Sequence, residues 1–356
     1  MDKVERPLGP LVVDISGTTL TDEEASLLQH PLVGMVILFT RNYKNPEQLR
    51  SLTHEIHSLR NPPLLIGVDH EGGRIQRFRE GFTKIPSMKS LGKLYDKDPV
   101  RATSLTSACG LVMASELRAC GVDLTFAPCL DLDYGQSNII GNRAFHRNPR
   151  VVAILAQSLI AGMSQAGMAN CGKHFPGHGY TSADSHLELP EDKRDLSLIR
   201  SNDEIPYSAL GSLLTSVMPA HVTYSKVDVS PAGFSSKWLQ DELRNRLGYD
   251  GLIFSDDLSM KGAAVVGELT ARVNAALNAG CDMVLLCNDP EGVKTVLKNQ
   301  RWIRTKTFDQ RINRLQPRGK FLSLDALVLT ENYRHCVELI NIFNQEVFDQ
   351  ETNGGI

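Results

Sequence analysis

The chain has 356 residues, with 38 Lys and Arg against 41 Asp and Glu, a formal net charge of −3. That near-balance argues against a nucleic-acid-binding surface, which needs a basic excess, and gives no reason to expect an anionic membrane surface as partner. Hydrophobic residues at 42% and charged residues at 22% describe a globular chain and exclude a disordered or fibrous one.

In chain order, the first apolar run is Leu11–Ile15, followed by a capping box at Thr21–Glu24 that starts a helix. Val33–Phe39 is the second run, and Asn45-Pro46 places a capping side chain before a proline at the first helical position. Leu64–Val68 is the third. Asp98-Pro99 opens another helix, Gly121 stops it, and Val122–Ala127 follows. Asn148-Pro149 and Gly167 bracket the next helix, which feeds a run at Met168–Gly172. Ser216–Ala220, Leu252–Ser255 and Met283–Cys287 complete the series, with Gly248 and Gly280 as helix stops and Asp289-Pro290 as a further start. Leu324–Val347 reads as a final amphipathic helical region.

The eight apolar runs are nearly continuous, as expected for parallel strands covered on both faces. Alternating with helices, they predict an α/β fold: a single (β/α)8 TIM-type barrel with a helical C-terminal tail. One catalytic domain over residues 1–350 and a frayed tail at 351–356 is the expected organisation, since no proline- or glycine-rich linker interrupts the chain. A doubly wound open sheet is the alternative, but no Gly-x-Gly-x-x-Gly follows the first run. Met1–Pro10 lacks the apolar core of a signal peptide, and Met35–Phe39, the longest apolar stretch, is too short to span a bilayer. Seven cysteines without a C-x-x-C pair fit small buried thiols, and a cytoplasmic protein with no membrane partner is expected.

In a barrel of this kind, chemistry sits at the carboxyl ends of the strands. Here the third run leads into Asp69-His70-Glu71, the fifth into Lys173-His174, the sixth into His221 and the seventh into Asp256-Asp257. The densest segment runs from Lys173 to His186 and holds His174, His178, Asp184 and His186. Three readings compete for it. It could be a solvated surface loop. It could be a metal site, since His174-x-x-x-His178 with Asp184 and His186 has the right ligand types, but Pro176, Gly177 and Gly179 break the helix that would align the pair. The third reading is acid–base work. Asp184 and His186 are two apart, so on extended backbone they point the same way, and a carboxylate beside imidazole raises its pKa from about 6.5. Gly172, Gly177 and Gly179 are expected to make this loop deformable.

An aspartate leaving the seventh strand, Asp256, can be a nucleophile, a base or a metal ligand, whereas Asp257 is expected to turn sideways and bond to backbone N–H groups. The Asp69–Arg77 cluster, with its carboxylates, glycines and arginines, suits a polyhydroxylated ligand. Arg74 is expected to make a structural ion pair. Arg143 stands open between loop anchoring and substrate binding.

Together, Gly-Val-Asp-His-Glu-Gly-Gly-Arg at 67–74, Lys-His-Phe-Pro-Gly-His-Gly at 173–179 with Asp-Ser-His at 184–186, and Phe-Ser-Asp-Asp-Leu-Ser-Met at 254–260 resemble glycoside hydrolase family 3. More narrowly, they are similar to its single-domain bacterial β-N-acetylhexosaminidases of peptidoglycan recycling. The resemblance implies Asp256 as nucleophile, an Asp184–His186 acid/base dyad, and sugar contacts from Asp69, Arg77, Arg143, Lys173 and His174, with neither metal nor organic cofactor. It implies a small-molecule amino-sugar or muropeptide substrate. Nothing in the spacing reports the oligomeric state, and a monomer is consistent with it. Two-domain relatives take their acid from a second α/β domain, and too few residues follow the eighth strand to build one. A phosphorylase on the same scaffold, a sugar-binding barrel without turnover and a metal-dependent amidohydrolase remain the competing functions.

Overall fold

A computed structural model describes residues 4–182 and 189–353. Eight strands form one parallel sheet: β1 (Leu11–Val13), β2 (Val33–Leu38), β3 (Leu65–Val68), β4 (Leu124–Thr125), β5 (Cys171–Phe175), β6 (Ser216–Pro219), β7 (Leu252–Asp257) and β8 (Met283–Leu286). Their order is β4-β3-β2-β1-β8-β7-β6-β5. The last strand lies beside the first, with Val284 opposite Leu11. The remaining seam, β4 to β5, is closed by bridges Leu124–Ala169 and Cys129–Lys173 and by a 2.6 Å bond from Leu130 N–H to the Lys173 carbonyl. The sheet is therefore a barrel, and the open-sheet alternative fails at this seam.

The helices begin and end where the sequence punctuation places them. The Thr21 hydroxyl accepts from Glu24 N–H while the Glu24 carboxylate accepts from Thr21 N–H. Asn45, Asp98, Asn148 and Asp289 each accept a first-turn amide ahead of a proline. Gly121, Gly167, Gly248 and Gly280 have φ of +79°, +73°, +68° and +123°, values that side chains with a Cβ rarely adopt. Helices Pro99–Ala119 and Pro149–Gln165 pack on each other, and the C-terminal helix Glu331–Asn353 packs on the first of them. No helix among the described residues is long and apolar enough to cross a membrane. All seven cysteines are buried and unbridged.

Two strand boundaries differ from expectation, and both bear on the site. The fifth run is expected at Met168–Gly172, but the continuous strand runs from Cys171 through Phe175, with an isolated bridge at Ala169 ahead of it. Between the two, the Thr215 hydroxyl accepts from the Asn170 N–H at 2.7 Å and donates to the Asn170 carbonyl at 2.6 Å, so a side chain supplements the backbone at the entry to β5. At its far end, Lys173 and His174 lie inside the strand, where an apolar pattern cannot signal them. β7 likewise extends through Asp256 and Asp257. The Lys173–His174, Phe175–Pro176, Ala127–Pro128 and Asn61–Pro62 peptides are cis.

Below the mouth, the barrel is filled by apolar side chains. Phe126 and Phe254, both fully buried, meet edge to face with centroids 5.2 Å apart. Gly67 leaves space for Met35, whose terminal methyl a Cβ there would strike. Phe254→Ala is expected to lower unfolding free energy by about 3–5 kcal/mol through the cavity it leaves, read from urea denaturation.

Candidate active site

Asp69, His70 and Glu71 follow β3 on extended backbone, so alternate side chains take opposite sides. His70 turns into an aromatic cluster with Phe78 and Phe82, where burial pushes its pKa down to about 3 and keeps it neutral. Asp69 and Glu71 turn the other way, into a cavity of about 320 Å³ at the carboxyl ends of the strands. Gly72 and Gly73, with φ of +107° and +55°, make the tight reversal to Ile75–Gln76 that brings Arg74 and Arg77 back beside it.

The cavity's polar wall is one connected charge lattice. Lys173 Nζ lies 2.6 Å from Asp69 Oδ1 and 2.7 Å from Glu71 Oε1. Arg143 grips the same Glu71 carboxylate with both Nε and Nη2, at 2.9 and 2.8 Å. Arg77 stands 3.7 Å from Asp69 Oδ2, and its Nε has no hydrogen-bond partner among the described residues. Burial alone would raise the Glu71 pKa, but the charges of Arg143 and Lys173 outweigh it and hold the carboxyl well below the usual carboxylate range. Burial likewise opposes the charge on Lys173, and Asp69 and Glu71 reverse the effect, so its pKa is raised.

His174 is fixed from behind. Its Nδ1–H donates to Asp131 Oδ2 at 2.7 Å, and Asp131 Oδ1 accepts from the His178 amide at 2.6 Å. Asp131 is fully buried, yet His174 and the amide keep it ionised well below its usual pKa against that burial. With Nδ1 so engaged, Nε2 faces the cavity, 3.5 Å from Arg143 Nη2. Cys129 Sγ, an Asp131 oxygen and a His174 nitrogen lie within 4.8 Å of one another, the donor types a metal uses. Hydrogen bonds already account for that grouping, since the thiol donates to Asp131 Oδ2 at 3.2 Å. Burial pushes the Cys129 pKa far up, consistent with a thiol that donates to Asp131.

Asp256 and Asp257 leave β7 at the same cavity. Asp257 is held by backbone: its Oδ1 accepts from Ser259 and Cys287 N–H at 3.0 and 3.1 Å, and its Oδ2 accepts from the Ser259 hydroxyl at 2.7 Å. Burial pushes its pKa up to about 6. Asp256 Oδ1 accepts from the Asp257 amide at 2.8 Å. His221, from the end of β6, donates Nε2–H to the Asp257 carbonyl at 3.1 Å and stacks on Phe234 with planes 12° apart. Burial lowers its pKa and keeps the ring neutral. Strands β3 and β7 are four apart in a ring of eight, so Asp256 faces Asp69 and Glu71 across the barrel mouth.

This arrangement matches known proteins along nearly its whole length. Residues 4–317 match the model of the glycosyl hydrolase family 3 N-terminal domain. The chain belongs to glycosyl hydrolase family 3. A β-hexosaminidase of Bordetella avium is 55% identical over 93% of this chain and 94% of its own length. Among solved structures, NagZ of Neisseria gonorrhoeae in complex with N-trifluoroacetyl-D-glucosamine superposes with a TM-score of 0.91, 44% identity and coverage of 96% of this chain and 99% of that one. A family 3 β-N-acetylglucosaminidase from Paenibacillus has a TM-score of 0.82 at 29% identity, over 93% of this chain and 66% of its own.

Within this family 3 barrel, six of the eight site residues singled out in the sequence line one cavity: Asp69, Arg77, Arg143, Lys173, His174 and Asp256. Asp184 and His186 lie outside the described residues. Arg143 anchors Glu71 and also borders the cavity. Arg74 departs from expectation. Among the described residues its guanidinium makes no ion pair, and instead donates to the carbonyls of Asn138 and Ile139 and to the Asn142 side chain, pinning the loop that carries Arg143. Two of the three loop glycines are also explained by packing: a Cβ at Gly179 would strike the Leu132 carbonyl, and one at Gly177 would come within 2.7 Å of Asp203 Oδ1.

Glu71, Asp131 and His221 carry site geometry that motif reading did not assign. A lone carboxylate in the apolar run Leu124–Leu132 was the available signal for Asp131. Above pH 4.5 both folded and unfolded chains carry Glu71 ionised, so its contribution is complete. As pH falls below that value, the unfolded chain takes up a proton that the folded chain refuses, and stability is lost. Glu71→Gln is therefore expected to destabilise the protein by about 3–5 kcal/mol near neutrality, since it leaves the buried Arg143 without its carboxylate and Lys173 with Asp69 alone. It should also flatten the loss of stability below pH 4.5, read as urea midpoints against pH.

Proposed function

We propose that the chain is a retaining, exo-acting β-N-acetylglucosaminidase that releases terminal, non-reducing β-linked N-acetylglucosamine. One observation carries this reading: a carboxylate, Asp256, faces a fixed lattice of acceptors and donors, Asp69, Lys173, Glu71 and Arg143, across a single cavity. Asp69 and Lys173 are spaced to bind vicinal hydroxyls of one ring, with His174 and Arg143 beside them. Asp256 then attacks the anomeric carbon, displacing the glycosidic oxygen, which His186 protonates. Water opens the glycosyl–Asp256 ester with His186 as base, and Asp184 holds the imidazolium charge. Each half-reaction passes through an oxocarbenium-like state that the opposing carboxylate stabilises.

The preference for a 2-acetamido sugar rests on the β-hexosaminidase relatives and on the acylated glucosamine held by the Neisseria protein. The proposed natural substrate is an N-acetylglucosaminyl–anhydro-N-acetylmuramic acid fragment, with or without peptide, processed during cell-wall recycling in the cytoplasm. Residues 1–350 are proposed to act as one catalytic unit that needs neither metal nor organic cofactor.

The deciding experiment compares 4-nitrophenyl β-N-acetylglucosaminide with the matching β-glucoside, in the presence and absence of phosphate. Fast release from the first, slow release from the second and free sugar as product are expected. Sugar 1-phosphate would instead identify a phosphorylase, and tight binding without turnover a binding protein. Asp256→Ala is expected to lower kcat by on the order of 10³-fold or more. Proton NMR should show the β-anomer as first product, and α-product would refute the double displacement. Exhaustive EDTA treatment should leave activity unchanged.

A further inference from the structure

Asp184 and His186 lie in the chain between two described flanks, one ending beyond Tyr180 and the other leading into Asp192. Both flanks meet at one buried guanidinium. Arg194 Nε and Nη2 donate to the Asp192 carboxylate at 3.0 and 2.6 Å, and Nη1 donates to Asp203 Oδ2 at 2.7 Å and to the Tyr134 hydroxyl at 2.9 Å. The guanidinium carbon lies 4.0 Å over the Tyr180 ring, and Tyr134 meets Tyr180 edge to face at 5.3 Å. The Arg194 side chain is only 9% exposed, and Asp192 and Asp203 are buried.

Each flank is also tied to the barrel. Glu191 and Asp192 pair in parallel with Thr223 and Tyr224 beyond β6, and the Tyr224 hydroxyl donates to the Gly177 carbonyl at 2.9 Å. On the other side, Gln136 donates to the Tyr180 carbonyl. Among the described residues Arg194 is not one that lines the cavity, and neither are the hydrogen-bond and ring partners named above. Its planar fork, spread over two carboxylates and stacked on a ring, is a rigid brace in a way that a lysine ammonium could not be.

We propose that Arg194, stacked on Tyr180, is a positioning residue for the acid/base step: it joins the two flanks of the segment and so sets where His186 delivers its proton. This rests on the proposed assignment of His186. Asp69, Lys173, His174 and Asp256 belong to β3, β5 and β7 or directly follow them, whereas the brace is built from Tyr134, Tyr180, Asp192, Arg194 and Asp203. Loosening it should therefore impair protonation of the leaving group and little else.

The test reads kcat/KM, which reports on formation of the glycosyl-enzyme, for two leaving groups. Methyl β-N-acetylglucosaminide needs a proton on departure, and the 2,4-dinitrophenyl glycoside does not. Arg194→Lys and Tyr180→Leu are expected to lower kcat/KM at least about tenfold on the methyl glycoside and less than about twofold on the dinitrophenyl one. General acid assistance is worth about 10²–10⁴ in rate, which leaves room for such a partial loss. Inhibition by free N-acetylglucosamine should stay within about twofold of wild type, and Tyr180→Phe, which keeps the ring, should restore both rates. Arg194→Lys strains a buried cluster, so Tyr180→Leu, at an exposed position, carries the test if the first variant does not fold. Equal losses on both substrates, or none, would overturn the proposal. His186→Ala is the control: if it shows no leaving-group dependence, the acid assignment itself falls and this inference falls with it. If His186→Ala shows that dependence and the brace variants do not, only the role of Arg194 is refuted.

Discussion

The barrel mouth is organised around one buried carboxylate. Glu71 sits between Lys173 and Arg143 with almost no solvent access, and Lys173 links it to Asp69. Removing such charges from water is expensive, and each is stable there only because the others are in place with hydrogen bonds of 2.6–2.9 Å. The lattice spans the end of β3, the loop after β4 and the end of β5. It therefore fixes the relative position of three segments that the apolar core below cannot specify at side-chain precision. A sugar entering this cavity meets donors and acceptors that are already oriented, the condition under which hydrogen bonds contribute most to a transition state.

The opposite wall uses a different principle. Asp256 and Asp257 are adjacent in sequence and chemically alike, and their surroundings separate them. Asp257 accepts from two backbone amides and a hydroxyl, and burial lifts its pKa to about 6. His221, kept neutral by burial, holds the Asp257 carbonyl from β6 and so steadies the strand end that presents Asp256. Asp131 does the equivalent for His174 by engaging Nδ1 and leaving Nε2 for the cavity. Behind each residue that faces the sugar site stands a buried partner that defines its orientation. Arg194 repeats this pattern away from the cavity, as a cation shared by the buried Asp192 and Asp203.

The pattern of apolar runs, caps and glycines specified the barrel, because strand and helix periodicity, N-cap chemistry and positive φ are local properties. Thr21, Asn45 and Gly121 behave in the fold as their neighbours in sequence dictate. The family resemblance named Asp69, Arg77, Arg143, Lys173, His174 and Asp256, and all six line one cavity; for Asp69, Lys173, His174 and Asp256 the signal was also local, since polar residues at the ends of apolar strands have no packing rationale. Motif reading placed β5 too early, because Lys173 and His174 interrupt the apolar pattern although both lie in the strand. It also read Gly177 and Gly179 as sources of flexibility, where close approach to Asp203 and Leu132 explains them.

What the tertiary structure decided is who partners whom. Arg143 reaches Glu71 across 72 residues, Lys173 reaches Asp69 across 104, and Arg74 turns to loop carbonyls instead of a carboxylate. The bond between the buried Asp131 and His174 Nδ1 joins residues 43 apart, a pairing that no spacing in the chain encodes. Charge pairing and desolvation act through space. They become definite only once the barrel has closed and brought distant segments to the same dry cavity.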